Sequence, residues 1–161
     1  QCFEHHLAIN DRRMYPLYAK CIELDIPVNI HCSINFATST LMRYGHPSLL
    51  DEVMVDFPEL RVCASPPGFP WVHELIGVAW RHPNVSIGLV AVRPKYLQVA
   101  GSGYEPLLQY GRTVLKDRII FGSAYPLGPI ARTIAEIRAL PIGEEVERLW
   151  LHDNARRFLR L

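Results

Sequence analysis

The chain has 161 residues, of which 49% are apolar and 20% are charged, and its formal net charge is +1. This composition is typical of a globular domain and excludes a disordered or fibrous chain. The near-balance of basic and acidic residues gives no electrostatic footprint for nucleic acid, and no apolar run reaches the ~18 residues of a membrane span. We therefore expect one domain over residues 1–161, with no nucleic-acid and no membrane partner.

The N-terminal residues and the cysteines indicate the compartment. The chain begins without Met and has neither the basic nor the apolar region of a signal peptide. Its four cysteines, Cys2, Cys21, Cys32 and Cys63, have no zinc-ribbon or disulfide-framework spacing. They are typical of reduced thiols packed as small hydrophobic groups, which predicts a cytoplasmic protein.

Helices and strands are predicted to alternate along the chain. Apolar residues three and four apart predict helices, and short β-branched runs predict buried strands. The polar segment 33–46 between the first strand and the next helix is long for a loop, and long loops are often functional. In chain order, we predict a helix over 15–24, a strand over 28–32, a helix over 47–57, a strand over 60–64, a helix over 71–80, a strand over 85–92, a helix over 104–114, a strand over 118–121, and helices over 130–140, 143–150 and 154–161.

The spacing of the strands predicts their arrangement. They begin near residues 28, 60, 85 and 118, and each interval contains one helix. Intervals of roughly 30 residues with one helix are typical of βα units, so the strands should be parallel and covered by helices. The chain supplies half the strands of an eight-stranded barrel, so the alternatives are a small open sheet and half a barrel.

Reactive groups in parallel α/β proteins cluster where the strands end. The four predicted strand ends supply His31, then Ser65 and Pro66, then Val90 to Arg93, and finally Gly122 to Tyr125. His31 is the strongest candidate, because an imidazole at the end of an apolar strand can bind a metal or transfer a proton. The alternative is a buried histidine whose two nitrogens are satisfied by hydrogen bonds.

Other polar residues are less specific. Arg43 and Arg93 follow predicted strands and could bind a substrate carboxylate through the guanidinium group, although a surface position is equally compatible. His5 and His6 are expected in a solvated N-terminal segment. Asp153 is predicted to be the N-cap of the last helix.

Five segments of the chain resemble one family in order and spacing. They are IPVNIHC at 26–32, LLDEVMVDFPELRVCAS at 49–65, FPWVHELIGVAWRHPNV at 69–85, DRIIFGSAYP at 117–126 and DNARRFL at 153–159. Together they resemble the amidohydrolase-related metal-dependent hydrolases, in the branch that includes aminocarboxymuconate-semialdehyde and γ-resorcylate decarboxylases. The resemblance implies an α/β fold of parallel βα units that forms the C-terminal half of a TIM-type (β/α)8 barrel, from about the fifth strand onward.

The resemblance also implies an incomplete site. It assigns His31 as a ligand of a divalent metal, zinc or manganese, and Arg93 or Arg43 as the group that binds a substrate carboxylate. Pro66 stands where the family has a histidine, and Ala124 stands where it has an aspartate, so no catalytic residue is assigned. The implied activity is metal-dependent hydrolysis or decarboxylation of a small carboxylated or aromatic substrate. The alternative is a catalytically silent half-barrel that acts as a structural or binding module, either as a homo-oligomer or with an N-terminal half outside this chain.

Overall fold

Four parallel strands form the sheet of the protein, in a computed structural model that describes residues 1–161. The strands are β1 (Val28–Ile30), β2 (Val62–Ala64), β3 (Val85–Leu89) and β4 (Ile119–Phe121), and they are neighbours in chain order. The registers place Val28 opposite Val62, Val62 opposite Val85, and Ile87 opposite Ile119. The predicted order of parallel βα units is therefore confirmed.

Seven α-helices connect and cover the strands. They are α1 (Tyr15–Glu23), α2 (Pro47–Asp56), α3 (Val72–Arg81), α4 (Glu105–Gly111), α5 (Ile130–Arg138), α6 (Gly143–Arg148) and α7 (Asn154–Leu159). Short 3₁₀ turns lie over Cys2–His5, Arg12–Met14, Met42–Gly45 and Pro94–Gln98. No helix is both long and apolar enough to cross a membrane.

A continuous apolar core lies between the sheet and its helices. Strand β3 is buried along its whole length, and α3 buries one face through Val72, Leu75, Ile76 and Ala79. A strand buried on both faces requires a nearly continuous apolar run, and this explains why β3 was recognisable in the sequence. It ends at Leu89, earlier than predicted, because Ala91 adopts a left-handed backbone with φ of 59°.

The C-terminal helical segment differs from its prediction. The chain does not break before Asp153; a π-helical turn over Leu149–Asp153 joins α6 directly to α7. Asp153 accordingly makes no capping hydrogen bond, and its carboxylate instead binds Arg148 and His152. The prediction of an N-cap was wrong because Trp150, within this turn, and Asn154, directly after it, are both buried and keep the chain helical.

Polar side chains secure the amino ends of the strands. Asn154 donates to the carbonyls of Lys116 and Ile119, both at 2.8 Å, where β4 begins. Arg61, just before β2, donates to the carbonyl of Phe158 in α7 and to Asp25. These bonds anchor the C-terminal helix below the sheet.

Candidate functional site

A cavity of about 540 Å³ lies at the carboxyl ends of all four strands. Each strand contributes at least one residue to its wall: His31 follows β1, Ser65 and Pro66 follow β2, Val90 follows β3, and Ala124 follows β4. Its volume is in the range of small-molecule sites. The sequence-based prediction that the strand ends come together is therefore met by the geometry.

His31 lies in the wall of this cavity and is partly buried. Its Nε2 is 3.1 Å from the carbonyl oxygen of Ile34, and its ring meets Phe3 edge-on with 4.6 Å between centroids. Since a carbonyl oxygen only accepts, this contact requires a proton on Nε2 and leaves the lone pair of the neutral ring on Nδ1. Burial lowers the pKa of His31 below its ordinary value, because the charged imidazolium is less well solvated there.

Pro66 and Ala124, at the two positions where the resemblance expects reactive side chains, line the same cavity as His31. Neither side chain can exchange a proton or bind a metal. Ala124 has a left-handed backbone with φ of 56°, a conformation that Asp and Asn adopt more readily than alanine. The backbone at this position is therefore compatible with an aspartate, although the chain has none there.

The two candidate arginines lie outside the cavity wall. Arg93 donates from Nε to Glu136 at 3.0 Å, and this hydrogen bond lowers the pKa of the Glu136 carboxyl group. Arg43 lies in a separate surface depression beside Ala8 and His46. Neither arginine is brought to His31 in this chain, and binding of a substrate carboxylate by either one stays a prediction.

Aromatic side chains form much of the wall, and sequence reasoning did not single them out. Phe3, Phe36, Phe69 and Tyr104 come from four separate segments of the chain. The rings of Phe69 and Tyr104 are 5.4 Å apart between centroids. The expectation for the N-terminus was only partly right: His5 and His6 are exposed, but Phe3 is buried against the site. No local pattern identifies residues that are joined only by the fold.

Polar side chains in the wall are mostly held by the protein itself. Ser33 donates to the carbonyl of Phe69 at 2.8 Å, and Asn35 donates to the carbonyl of Leu41 at 3.3 Å. Ser65 donates to Oδ1 of Asn29 at 2.6 Å, which leaves the Asn29 amide nitrogen to donate elsewhere. The sequence signal for Asn29 is that it is a polar residue within an apolar strand.

The residues present do not fit a divalent cation. Metal sites of this kind use at least three protein ligands, and the chain contains no group of three or more His, Cys, Asp or Glu side chains placed to hold one. His31 alone has a suitable donor, and one of its nitrogens faces the Ile34 carbonyl. The side chains of this chain are therefore too few to hold such a cation by themselves.

Solved structures share this architecture. An uncharacterized TIM-barrel protein from Bordetella bronchiseptica is 36% identical, with a TM-score of 0.83, and the match covers 96% of this chain and 52% of that one. A 2,6-dihydroxybenzoate decarboxylase from Rhizobium is 16% identical, with a TM-score of 0.64 and coverage of 96% and 57%. A 5-carboxyvanillate decarboxylase from Novosphingobium aromaticivorans, complexed with manganese, is 14% identical, with a TM-score of 0.64 and coverage of 96% and 53%.

The chain thus spans about half the length of these structures, and its four strands correspond to half a TIM barrel. Among curated proteins, none matches it. The family model described as amidohydrolase matches residues 3–161, which is nearly the whole chain. The chain therefore belongs to the amidohydrolase family.

Proposed function

We propose that this chain provides the substrate-binding strand ends of a decarboxylase-like enzyme of the amidohydrolase family, acting on a small aromatic or carboxylated molecule. The single observation that carries the proposal is the cavity at the four strand ends, where aromatic rings surround His31. Ligand sites of α/β proteins lie at this end of the sheet. The sequence match to the family supports the class of enzyme.

His31 is the residue to which we assign proton transfer. Decarboxylation breaks a carbon–carboxyl bond, and a proton must then reach the carbon that held the carboxyl group. A neutral imidazole with its lone pair on Nδ1 can accept a proton and return it. Because Pro66 and Ala124 supply no second acid or base, the remaining groups, including the ligands of any zinc or manganese ion, have to come from outside this chain.

The test measures metal content and turnover on the same purified protein. Elemental analysis should find less than one tightly held zinc or manganese per chain, since the chain has no group of three suitable ligands. Conversion of 2,6-dihydroxybenzoate to resorcinol is then followed by chromatography with and without added manganese. Any turnover should fall by ~10²-fold or more in His31→Ala, the usual size of a general acid–base contribution, and persist in His73→Ala, a matched change on the exposed face of α3. Turnover unaffected by loss of His31 would contradict its assigned role.

A second candidate, a binding module that associates with a copy of itself, is favoured by the edges of the sheet. Strand β1 pairs only with β2, and β4 pairs only with β3, so one edge of each is open. Because all four strands run in one direction, β4 of one copy can pair in parallel with β1 of another, and the same pairing on the far side closes eight strands. Sedimentation equilibrium decides between the candidates: a dimer without turnover supports the module, and a monomer across the concentration range contradicts it.

A further inference from the structure

No side chain in the wall of the strand-end cavity carries a fixed charge, although the α-amino group of Gln1 lies close enough to act on His31. None of its sixteen lining residues is Asp, Glu, Lys or Arg, and nine of them are hydrophobic. The absence of a charged side chain restricts what this half of the site can bind.

The candidate cation that follows β3 is already paired with a carboxylate. Arg93 follows β3 but pairs with Glu136 and does not line the cavity. Ser33 donates its hydroxyl hydrogen to a backbone carbonyl, and Asn35 donates one of its two amide hydrogens to another. A carboxylate in this cavity would therefore lose water without gaining a cationic side chain, and burial of an unpaired charge is strongly unfavourable.

The walls do suit an uncharged aromatic ring with hydroxyl substituents. Phe3, Phe36, Phe69 and Tyr104 offer faces and edges on which a ring can stack or pack. The amide nitrogen of Asn29 is a donor for a hydroxyl oxygen, because its Oδ1 already accepts from Ser65. The aromatic side chains can thus contact the ring of a phenol, and the Asn29 amide can donate to its hydroxyl oxygen.

Resting on the proposed aromatic site, we propose that this half of the site binds uncharged phenols and disfavours their carboxylates. The ligand class is a small hydroxylated benzene without an acidic group. A carboxylate would bind well only if a cation were added to the wall.

The experiment compares two ligands that differ by one carboxylate, resorcinol and 2,6-dihydroxybenzoate, by NMR titration of the whole chain at neutral pH. The α-amino group of Gln1 is acetylated for this measurement, because acetylation removes its charge. We expect resorcinol to bind at least tenfold more tightly. Phe36→Arg adds a cation at a position that lines the cavity but is 89% exposed, so the core is left intact.

Phe36→Arg should shift the preference at least tenfold toward 2,6-dihydroxybenzoate, whereas the control Phe36→Leu should weaken both ligands similarly. Equal or tighter binding of 2,6-dihydroxybenzoate by the unsubstituted chain would overturn this inference and leave the aromatic site standing. Binding of neither ligand would overturn both the inference and the proposed aromatic site.

Discussion

The two ends of the sheet are built from different chemistry. At the amino ends of the strands, two separate sets of hydrogen bonds, from Arg61 to Asp25 and Phe158 and from Asn154 to the start of β4, hold the C-terminal helix. At the carboxyl ends, the cavity has no charged side chain and is walled by aromatic rings. Polar side chains at the amino ends of the strands therefore stabilise the fold, whereas the carboxyl ends of the strands surround a space that a ligand can enter. This is the division between stability and chemistry expected of a TIM barrel.

The largest expected effect tests the amino end. Asn154→Ala removes two hydrogen bonds and leaves the carbonyls of Lys116 and Ile119 without this donor inside the protein. We expect a loss of about 3 kcal/mol in the free energy of unfolding, measured by urea denaturation. Asn84→Ala is the matched control, because Asn84 makes one bond to Pro58 at the surface and its loss should cost about 1 kcal/mol. Equal losses would remove the contrast between a buried anchor and a surface bond.

A smaller effect is expected at the carboxyl end of β4. Ala124→Val places a β-branched residue at a φ of 56° and should destabilise the fold by about 1–2 kcal/mol. Ala124→Asn should change stability by less than about 0.5 kcal/mol, because asparagine tolerates the left-handed region. Thermal unfolding of the two variants measures the difference. Equal unfolding temperatures for the valine and asparagine variants would show that residue 124 is not held in the left-handed region.

The smallest effect is a pH dependence from His31. Its pKa is lowered in the folded protein, so the unfolded chain takes up a proton first as the pH falls through the ordinary histidine range. The contribution of His31 to the free energy of unfolding is therefore fully present above about pH 6.5 and is lost as the pH falls toward the pKa of His31 in the folded protein. Urea denaturation at pH 7 and pH 5 should show a smaller decrease in His31→Gln than in the unmodified chain. The exposed His73→Gln control should keep the full decrease.

Prediction from the sequence was most successful for the strands, because a short apolar run is itself the reason that a segment forms an interior strand. The apolar runs around Val28, Val62, Val85 and Ile119 all form strands, and their spacing gave the parallel order. It was least successful at boundaries and caps. The predicted break before Asp153 is absent because the burial of Trp150 and Asn154 depends on partners about forty residues away, Gly111 and Ile119.

The candidate site divides in the same way. His31, Pro66 and Ala124 were placed at strand ends by the sequence, because the end of a short apolar run is a local property. The pairing of Arg93 with Glu136, and the convergence of Phe3, Phe36, Phe69 and Tyr104 on one cavity, are long-range contacts. The sequence by itself determined the family, the order of the βα units and the position of His31, which is the one histidine in the cavity wall. Only the tertiary structure decided that the cavity wall is aromatic and has no charged side chain, because side chains from distant segments meet only after the sheet has formed.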